Sequence, residues 1–452
     1  MTNHQTNLTG WGNYPTSSAY LHNPRTVEDL EALLNSPLPR GCGRSYGDAA
    51  LNSSNHIALM EGMNQVIDFD PNTGIIKAEA GCTLNTILKT YTRKGWFPSV
   101  TPGTKFVTLG GCLAADVHGK NHHIDGSFSN YIKSFNILLA DGNKVFCSPS
   151  SNSDLFWATV GGMGLTGIVT DVTMQLQRVE SSFINVTHYD APNLSKAIDY
   201  LTDPKIDEKY SVAWIDCLAK ASHLGRSVVM NGRHCEREEI ANECFPDKNK
   251  TKLSVPFHFP SWTLNPLLIK SFNTIFYNLQ KNKQSHTVFY DSYFYPLDAV
   301  NHWNRLYGKN GFIQYQFVVP LDTAEKALSE ILDKISKSKR GSFLAVLKKF
   351  GPQGKGLLSF PKEGMTLALD FPVTDLSLFS FLDDLDVLVI KYGGRTYLAK
   401  DSRMKPEVFR EMYPNYKEWL AVKEKYDPEN QFQSDLSRRL EITPNIPMTG
   451  FK

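Results

Sequence analysis

Residues 41–47 (GCGRSYG), 102–111 (PGTKFVTLGG) and 161–167 (GGMGLTG) are three glycine-rich stretches in the first part of the chain. Glycine adopts positive φ angles and lets main-chain N–H groups approach a ligand closely, as a cradle for a pyrophosphate requires. Each stretch taken alone is more often a turn without a ligand. Three of them so close together favour a phosphate-bearing cofactor.

The third stretch also matches the pattern GxGxxG at Gly162, Gly164 and Gly167. In a dinucleotide-binding fold this pattern follows a strand and opens a helix. Here the order is reversed, because a helical pattern (154–160) precedes the glycines and a strand-like run (168–176) follows them. A Rossmann dehydrogenase is therefore disfavoured.

Strands and helices alternate irregularly around these stretches. The predicted elements are a helix capped by Thr26, strands at 66–70 and 74–80, a helix from Thr83 to Gly95 and a hairpin at 134–147. The regular strand–helix–strand repeat of a doubly wound parallel sheet is missing. The first region, residues 1–178, is therefore predicted to be α+β.

A second region, residues 179–394, has a different pattern. Its predicted strands are Tyr210–Leu218, Thr287–Pro296, Phe312–Pro320, Phe343–Phe350 and Met365–Val373, with one helix capped by Asp322 and another from Leu376 to Tyr392. Several strands with two helices on one face predict an antiparallel sheet covered by helices. The tail, residues 395–452, has too few elements to fold alone, and we expect it to return to the first region.

Composition and charge narrow the class of protein. The 452 residues are 41% hydrophobic and 21% charged, with a net charge of +2 and no polybasic block, which excludes a typical nucleic-acid-binding surface. No signal peptide or membrane-spanning run is visible, and the seven cysteines include no CxxC pair. We therefore expect a cytoplasmic protein without a disulfide framework or structural zinc.

Five segments carry a resemblance to a known family: GCGRSYGDAALN (41–52), TPGTKFVTLGGCLAADVHGKNHHIDGSFSNYI (101–132), LFWATVGGMGLTGI (155–168), GFIQYQFVVP (311–320) and YLAKDSR (397–403). The chain resembles the FAD-linked oxidases of the vanillyl-alcohol-oxidase class and, more narrowly, the oxidase subunits of decaprenylphosphoryl-ribose 2-epimerases. HGKNHH followed by GSF, together with AKDSR, is specific to the narrower group. The likeness runs in order from Leu8 to Leu440.

The resemblance implies a two-domain FAD fold, in which the first region and the returning tail bind the cofactor and the middle region covers the substrate. The FAD-binding residues that it implies are Arg40, Gly41, Cys42, Gly43, Arg44, Ser45, Tyr46, Gly47, Gly103, Thr104, Thr108, Gly110, Gly111, Ala115, His118, Gly119, Asn121, Gly162, Gly167, Ile168 and Tyr397. The implied substrate residues are His118, Lys120, Gln314, Gln316, Lys348, Phe350, Ala368 and Lys400. The implied catalytic residues are Lys400, His118 and Tyr46.

His118, Lys120, His122 and His123 lie close together in the sequence. The spacing of His118 and His122 would suit a metal on a helix, but no acidic ligand accompanies them and Gly119 weakens a helix. A solvated basic loop is the plainest alternative. The resemblance favours a third interpretation, an active-site loop whose cations stabilise negative charge on a reduced flavin or pair with a substrate phosphate.

Side chains alternate between the two faces of the predicted strand 313–318, so Gln314 and Gln316 lie on the same face. There they could bind sugar hydroxyls, or they could simply form the solvent-exposed face of a half-buried sheet. Lys348 shares an apolar face with its strand neighbours, so we expect an anion near it, unless it extends to water. Lys400 is either the base that takes a hydroxyl proton or the partner of Asp401. The sequence does not choose between Lys400 and His118 as the base.

Residues 253–269 contain three prolines and no charged residue, and lysines flank them on both sides. Such a segment predicts either an ordinary buried loop or a mobile lid that accepts a polyprenyl tail. The second interpretation would place the protein at the inner face of the membrane.

Two departures from the family pattern have chemical consequences. Relatives that tether FAD covalently often carry a histidine near the end of the first glycine stretch, where this chain has Asp48, and Ala115 offers no thiol. Non-covalent FAD is therefore expected. The narrower group has a cysteine two residues before its Asp-Phe-Pro element, where covalent inhibitors attach; here that position is Ala368, which has no nucleophile.

The resemblance implies an enzyme that oxidises the 2-hydroxyl of a polyprenylphosphoryl-ribose to a 2-keto sugar. A separate NAD(P)H-dependent short-chain reductase would then complete an epimerisation to the arabinose form, for cell-wall biosynthesis. One alternative is a related sugar-alcohol or aldonolactone oxidase with a soluble substrate. Another is a flavin-binding scaffold without turnover.

Overall fold

The computed structural model describes residues 4–33, 37–206, 208–247, 253–260, 266–281, 283–342 and 344–442. All seven cysteines lie in these ranges and are free thiols. None of the helices in the same ranges has both the length and the hydrophobicity that crossing a bilayer requires.

The first sheet is built near the N-terminus in the strand order β1-β2-β4-β3. Its strands are β1 (Gln5–Thr9), β2 (Thr16–His22), β3 (Leu38–Arg40) and β4 (His56–Leu59). Helix α1 (Val27–Glu31) begins after Thr26, whose hydroxyl accepts the N–H of Asp29, as the sequence predicts. Because β3 ends at Arg40, this sheet leads the chain directly into the first glycine stretch.

The second sheet has the order β5-β6-β10-β8-β9, with β7 paired to β10. Its strands are β5 (Val66–Phe69), β6 (Ile75–Glu79), β7 (Trp96–Pro98), β8 (Ile132–Leu138), β9 (Lys144–Cys147) and β10 (Ile168–Arg178). The accompanying helices are α2 (Leu84–Tyr91), α3 (Leu109–Ala114), α4 (His122–Asp125) and α5 (Ser153–Thr159). The pairings in this sheet are antiparallel, which confirms the predicted α+β class.

The third sheet is antiparallel and has the order β15-β11-β13-β12-β18-β19-β17-β20. Its strands, with the short parallel pair β14 and β16, are β11 (Phe183–Ala191), β12 (Tyr210–Ile215), β13 (Ser227–His234), β14 (Leu253–Ser254), β15 (His286–Phe289), β16 (Val300–Asn301), β17 (Phe312–Val319), β18 (Ala345–Phe350), β19 (Gly364–Pro372) and β20 (Arg395–Thr396). The helices of this region are α6 (Leu194–Thr202), α7 (Pro266–Gln280), α8 (Tyr290–Phe294), α9 (Leu321–Ser338) and α10 (Ser377–Lys391).

The two faces of the third sheet differ because α6, α9 and α10 cover only one of them. Tyr315 and Phe317 of β17 and Leu347 of β18 are buried in the core under these helices. Burying each such side chain contributes about 1.5–3 kcal/mol. Lys348 lies on the opposite face with Val346 and Phe350, so the sequence expectation that it shares a face with these apolar neighbours is confirmed.

Two sequence expectations need correction. The run Thr287–Pro296 is a strand only as far as Phe289, because the chain then turns into α8, whose aromatic side chains pack in a separate cluster. Asp322 does not cap α9, because it already lies in the first turn of the helix. Pro320, the residue before the helix, provides no side-chain cap. Residues 261–265 of the predicted lid, Phe343 and residues 443–452 lie outside the described ranges.

The tail packs against both regions. β20 pairs with β17, and α11 (Pro406–Met412), α12 (Tyr416–Tyr426) and α13 (Asp435–Arg439) follow it. The buried indole of Trp419 donates to the carbonyl of Ala158 at 2.8 Å. Arg439 donates to Asp48 at 2.8 and 2.9 Å and to Asp401 at 2.8 Å. These bonds hold the end of the first glycine stretch against the tail.

Candidate active site

The first glycine stretch runs between the N-terminal strands and the tail. Ser45 accepts the N–H of Trp11 at 2.8 Å, and the N–H of Tyr46 donates to the carbonyl of Ala399 at 3.0 Å. By contrast, the N–H groups of residues 42–45 donate to no other residue in the described part of the chain. Consecutive free amides of this kind form a concave anion site, and they fit the diphosphate of a dinucleotide.

The charged side chains of this stretch are engaged by the protein. The Arg40 guanidinium donates to the carbonyls of Ala50 and Thr9, both at 2.8 Å, so it supports the loop from behind. Arg44 lies over the Trp11 ring, 3.9 Å from its centre. Burial, followed by the charge of Glu61, raises the pKa of Cys42 to about 12, which keeps it a thiol. An anion bound at residues 42–45 would therefore be held first by main-chain N–H groups.

The second glycine stretch meets the first at Thr108. The Thr108 hydroxyl accepts the N–H of Gly111 at 3.2 Å and begins α3, and a Cβ on Gly41 would clash with it. A Cβ on Gly103 would instead have no atom within 4 Å, so this glycine borders open space. The Thr104 hydroxyl donates to Asp298 at 2.8 Å, which anchors the stretch to the middle region.

The third glycine stretch is explained by packing within the chain. A Cβ on Gly162 would clash with the carbonyl of Ala158, and Gly167 has a φ of +146° with Leu138 behind it. Ile168 is fully buried at the start of β10. Contact of these three residues with the cofactor remains a prediction. The close packing of α5, β8 and β10 is enough to explain why these residue types occur here.

His118 is buried and its hydrogen bonds fix its tautomer. Its Nε2 lies 3.0 Å from the side-chain nitrogen of Gln316, which also donates to the Thr366 hydroxyl at 3.2 Å. Thr366 in turn donates to the Phe317 carbonyl at 2.8 Å. Because an amide nitrogen only donates, Nε2 of His118 accepts and the proton of the neutral ring sits on Nδ1. No described residue bonds that Nδ1.

Burial keeps the two central histidines neutral. Burial first, and then the charges of Lys348, His122 and Lys400, holds the pKa of His118 well below its ordinary value. Burial followed by Lys348 lowers the pKa of His122 to about 3, and its Nδ1 accepts the N–H of Gly351 at 3.1 Å. No group of three or more potential metal ligands occurs among the described residues, so the metal interpretation gains no support.

Lys120 occupies the boundary between the histidine loop and the middle region. Its ammonium donates to the Tyr293 carbonyl and lies 4.1 Å from the centre of the Tyr293 ring. Burial, followed by repulsion from Lys348, lowers its pKa to about 7. Asn121 donates to the carbonyl of Ser99 at 2.8 Å, and a Cβ on Gly119 would clash with the Asn121 side chain. These contacts fix the loop that presents Lys120.

The face of the third sheet opposite α6, α9 and α10 carries the candidate residues of this sheet. Gln316 pairs with Ala368, which pairs with Val346, so the three side chains lie side by side across β17, β19 and β18. The next pairs on this face are Gln314 with Asp370, and Lys348 with Thr366. Phe350 packs against His118, with 4.7 Å between ring centres. The register thus brings together every sheet residue in the predicted substrate set.

Lys400 lies over Tyr46, with its Nζ 3.7 Å from the centre of the ring. It forms no ion pair with Asp401, whose carboxylate accepts from Arg439. Burial lowers the pKa of Lys400 to about 7, against the opposing charge of Asp370 and with the help of Lys348. Near neutral pH this lysine is therefore a mixture of the charged and neutral forms.

Asp370 is the one functional candidate that sequence reasoning passed over. It accepts from the Gln314 amide at 2.7 Å and from the Tyr307 hydroxyl at 3.0 Å. Burial raises its pKa to about 6, although these bonds and Lys400 favour its charged form. An isolated carboxylate in the apolar strand GMTLALDFP was the signal that pointed to it.

The candidate residues form a continuous set. Tyr46, Lys400, Gln314 and Asp370 make one cluster, and Gln316 continues it to His118 and Phe350. Tyr397 adjoins His118, with 5.3 Å between ring centres, and donates to the carbonyl of Ala115 at 2.8 Å. Lys348 lowers the pKa of Lys120, His118, His122 and Lys400 alike, so these groups share one electrostatic environment.

Two family models match the chain. One, described as an FAD binding domain, covers residues 19–148, and the other, described as D-arabinono-1,4-lactone oxidase, covers residues 266–440. The first match contains the glycine stretches at 41–47 and 102–111, and the second contains the sheet face and Lys400.

Similar proteins are FAD-class oxidoreductases. A decaprenylphosphoryl-beta-D-ribose oxidase of Mycolicibacterium smegmatis is 35% identical over 96% of this chain and 97% of its own. An L-gulonolactone oxidase of Mus musculus is 24% identical over 87% of this chain and 86% of its own. A Delta(24)-sterol reductase of Homo sapiens is 27% identical over 27% of this chain and 23% of its own. FAD is the cofactor that these matches support.

Proposed function

Because this chain belongs to the family of FAD-linked oxidases that includes decaprenylphosphoryl-beta-D-ribose oxidase, we propose that it oxidises the 2-hydroxyl of a polyprenylphosphoryl-ribose to a 2-keto sugar. The chain is an FAD-dependent oxidoreductase acting on a CH–OH group. The finer proposal rests chiefly on one observation. Lys348 interacts electrostatically with both Lys120 and Lys400, and Asp370 is the carboxylate that opposes the charge of Lys400, so the excess of positive charge suits an anionic sugar derivative.

The first two glycine stretches would hold the cofactor. The free N–H groups of residues 42–45 would bind its diphosphate, and the open space beside Gly103 would accept it. FAD supplies the acceptor for the hydride that leaves the sugar carbon. We propose that residues 1–178 and 395–452 form the FAD-binding domain and residues 179–394 the substrate domain. Tyr46 and Tyr397 would lie at the boundary of the two.

We assign the base to Lys400 rather than His118. A base must accept a proton near the pH at which the enzyme works, and the pKa of Lys400, about 7, meets this condition. His118 uses Nε2 to accept from Gln316, and its Nδ1 carries a proton. It is therefore a donor, which would orient a sugar hydroxyl and stabilise negative charge on oxygen. Tyr46 stays a neutral phenol, because burial and Asp370 raise its pKa well above the ordinary value.

Lys348 and Lys120 would bind the substrate phosphate. Burial lowers the pKa of Lys348 to about 8, so its charged form needs an anion beside it. Gln314 and Gln316 offer amides to the sugar hydroxyls, and Phe350 provides an apolar wall. Ala368, between Gln316 and Val346, leaves room on the same face without a thiol.

Non-covalent binding of FAD agrees with the surroundings of the first stretch. Asp48 is 3% exposed and engaged by Arg439, so it has no role as an attachment point. Ala115 ends α3 and carries no nucleophile.

The product of this oxidation would be the substrate of a reduction. A 2-keto sugar is epimerised when hydride returns to the opposite face, so we propose that an NAD(P)H-dependent short-chain reductase acts as the partner. A soluble aldonolactone or sugar alcohol is the second candidate substrate, favoured by the match of residues 266–440 to a D-arabinono-1,4-lactone oxidase model.

Helix α7 presents an apolar stripe that supports contact with a membrane surface. Leu268, Phe272, Ile275 and Leu279 follow helical spacing and are 45–65% exposed, while Tyr277 on the other face is buried. An exposed apolar stripe of this length suits the interface of a lipid bilayer. We propose that α7, rather than the whole segment 253–269, holds the enzyme at the inner face of the membrane near its lipid-linked substrate.

The cofactor proposal predicts two results. Acid precipitation should release the flavin to the supernatant, because no covalent bond holds it; a yellow pellet would contradict this.

Gly103→Ala should lower the affinity for FAD several-fold, since the added methyl enters space that the protein leaves open. Flavin absorbance per mole of protein measures this, and the thermal unfolding midpoint of the apoprotein should not change. Unaltered FAD affinity would show that the cofactor lies elsewhere.

The assignment of the base predicts a pH effect. Wild-type kcat at saturating substrate should rise with pH through about 7, because the neutral form of Lys400 is the active one and the bound phosphate keeps Lys120 and Lys348 charged. Lys400→Met should lower kcat by about 10²–10⁴-fold and remove this pH step. Flavin absorbance should show that FAD still binds. The exposed Lys417→Met is the matched control, and a pH step that persists in Lys400→Met would assign the base to another group.

The substrate proposal predicts selective reduction of the flavin. Under anaerobic stopped-flow conditions, a prenylphosphoryl-ribose should bleach the flavin at 450 nm, while free ribose and aldonolactones should not, because they lack the phosphate that Lys348 and Lys120 bind. Bleaching by a lactone alone would favour the soluble-substrate oxidase. If no tested substrate bleached the flavin, the result would favour a flavin-binding scaffold without turnover.

The membrane proposal predicts loss of vesicle binding. Ile275→Glu/Leu279→Glu should abolish co-sedimentation with anionic phospholipid vesicles, because two charges interrupt the apolar stripe. Leu376→Glu is the matched control, since Leu376 is 85% exposed and lies outside α7. Equal sedimentation of the double variant and wild type would refute the role of α7, while turnover of a short-chain substrate should be the same in all three proteins.

A further inference from the structure

A cavity of about 290 Å³ lies between the end of α10 and the start of α12. Its polar walls come from Gln353, Lys362, Arg395 and Asn415, and Glu411 stands at its exposed rim. None of these residues belongs to the predicted cofactor or substrate sets. The cavity therefore has no role in the function proposed above.

Arg395 is the unusual member of this wall. It is 6% exposed, and its guanidinium donates to the Gln353 side chain at 2.7 Å and to the Pro361 carbonyl at 3.4 Å. Its Nε has no partner in the described part of the chain. Among the described residues, the ionisable groups that interact with its charge are the phenol of Tyr413 and the ammonium of Lys362, and neither is a carboxylate. Arginine is almost never buried without an acidic partner.

The other buried arginines of the tail follow the usual rule. Arg403 bonds Asp383 and Asp386, and Arg439 bonds Asp48 and Asp401. Arg395 lies on the same tail and is buried to a similar extent, yet it lacks a carboxylate. A negative charge supplied from outside the chain would complete its surroundings.

Two further features favour an anion in this cavity. Asn415 and Pro414 line it where α12 begins, and no side chain caps that eleven-residue helix, so its positive end is open to the cavity. Lys362 donates to the Gly393 carbonyl at 2.9 Å, and its pKa is lowered by burial and by Arg395. An anion between Arg395 and Lys362 would relieve the repulsion between them.

We propose that this cavity is a binding site for a phosphate group, held by Arg395, Lys362 and the N-terminus of α12. The volume admits a phosphate with a small organic group attached, so the ligand is either inorganic phosphate or a phosphate ester. Arg395 would bind two oxygens through its fork of N–H donors. This inference is independent of the proposed substrate.

The test is a calorimetric titration of the FAD-loaded enzyme with inorganic phosphate, glycerol 3-phosphate and acetate. Phosphate or its ester should bind with one site per chain in Lys348→Gln, which weakens phosphate binding at the proposed substrate site by removing one of its two lysines. Arg395→Gln should weaken this binding at least tenfold and Lys362→Gln several-fold. Tighter binding of glycerol 3-phosphate than of inorganic phosphate would identify the ligand as a phosphate ester. Tighter binding of inorganic phosphate would identify it as free phosphate.

Lys326→Gln, which changes an exposed lysine of α9, is the matched control and should bind like wild type. If Arg395→Gln does not fold, Lys362→Gln and Lys362→Glu test the same cavity, and Lys362→Glu should abolish binding. Two outcomes would overturn the inference. One is the absence of saturable phosphate binding in Lys348→Gln, and the other is binding that neither Arg395→Gln nor the Lys362 variants weaken.

Discussion

One buried ion cluster underlies the arrangement of the site. Arg439, near the end of the described chain, bonds Asp48, which follows the first glycine stretch, and Asp401, which follows Lys400. Asp48 and Asp401 are both buried, and two carboxylates so placed would repel each other without the shared guanidinium. Arg439 thereby joins segments almost four hundred residues apart. Through this bond Lys400 is brought over Tyr46 and the glycine stretch is held beneath it.

The site itself is governed by a second constraint, an excess of basic groups in a low-dielectric space. Lys348 is at its centre and lowers the pKa of each neighbouring basic group, while Asp370 supplies the opposing charge. Burial, reinforced by this excess, leaves Lys400 partly neutral and His118 neutral at the same pH. One group is then suited to take a proton and the other to donate a hydrogen bond, and an anionic ligand is favoured electrostatically.

Several features of the site could be predicted from the sequence, because they depend on local patterns that long-range packing does not override. Alternation along β17 correctly separated Gln314 and Gln316 from Tyr315 and Phe317, and the Thr26 cap was confirmed. The predicted strand after Thr287 was wrong because aromatic packing in three dimensions overrode its β-type composition. Asp322 was misassigned since Pro320 already fixes the entry into α9. The role of Asp370 was missed because its apolar strand signals only a buried charge, while its partners Gln314 and Tyr307 come from distant parts of the chain.

The bond between Asp48 and Arg439 also constrains how the molecule is made. During synthesis the N-terminal sheets and the glycine stretches leave the ribosome long before residue 439 does. Until then the first stretch lacks the contact that holds it against the tail, and Lys400 lacks its place over Tyr46. Stable uptake of flavin is therefore expected only after residue 439 has been synthesised and has reached its place, and a chain released before that point should persist as an apoprotein exposed to proteases.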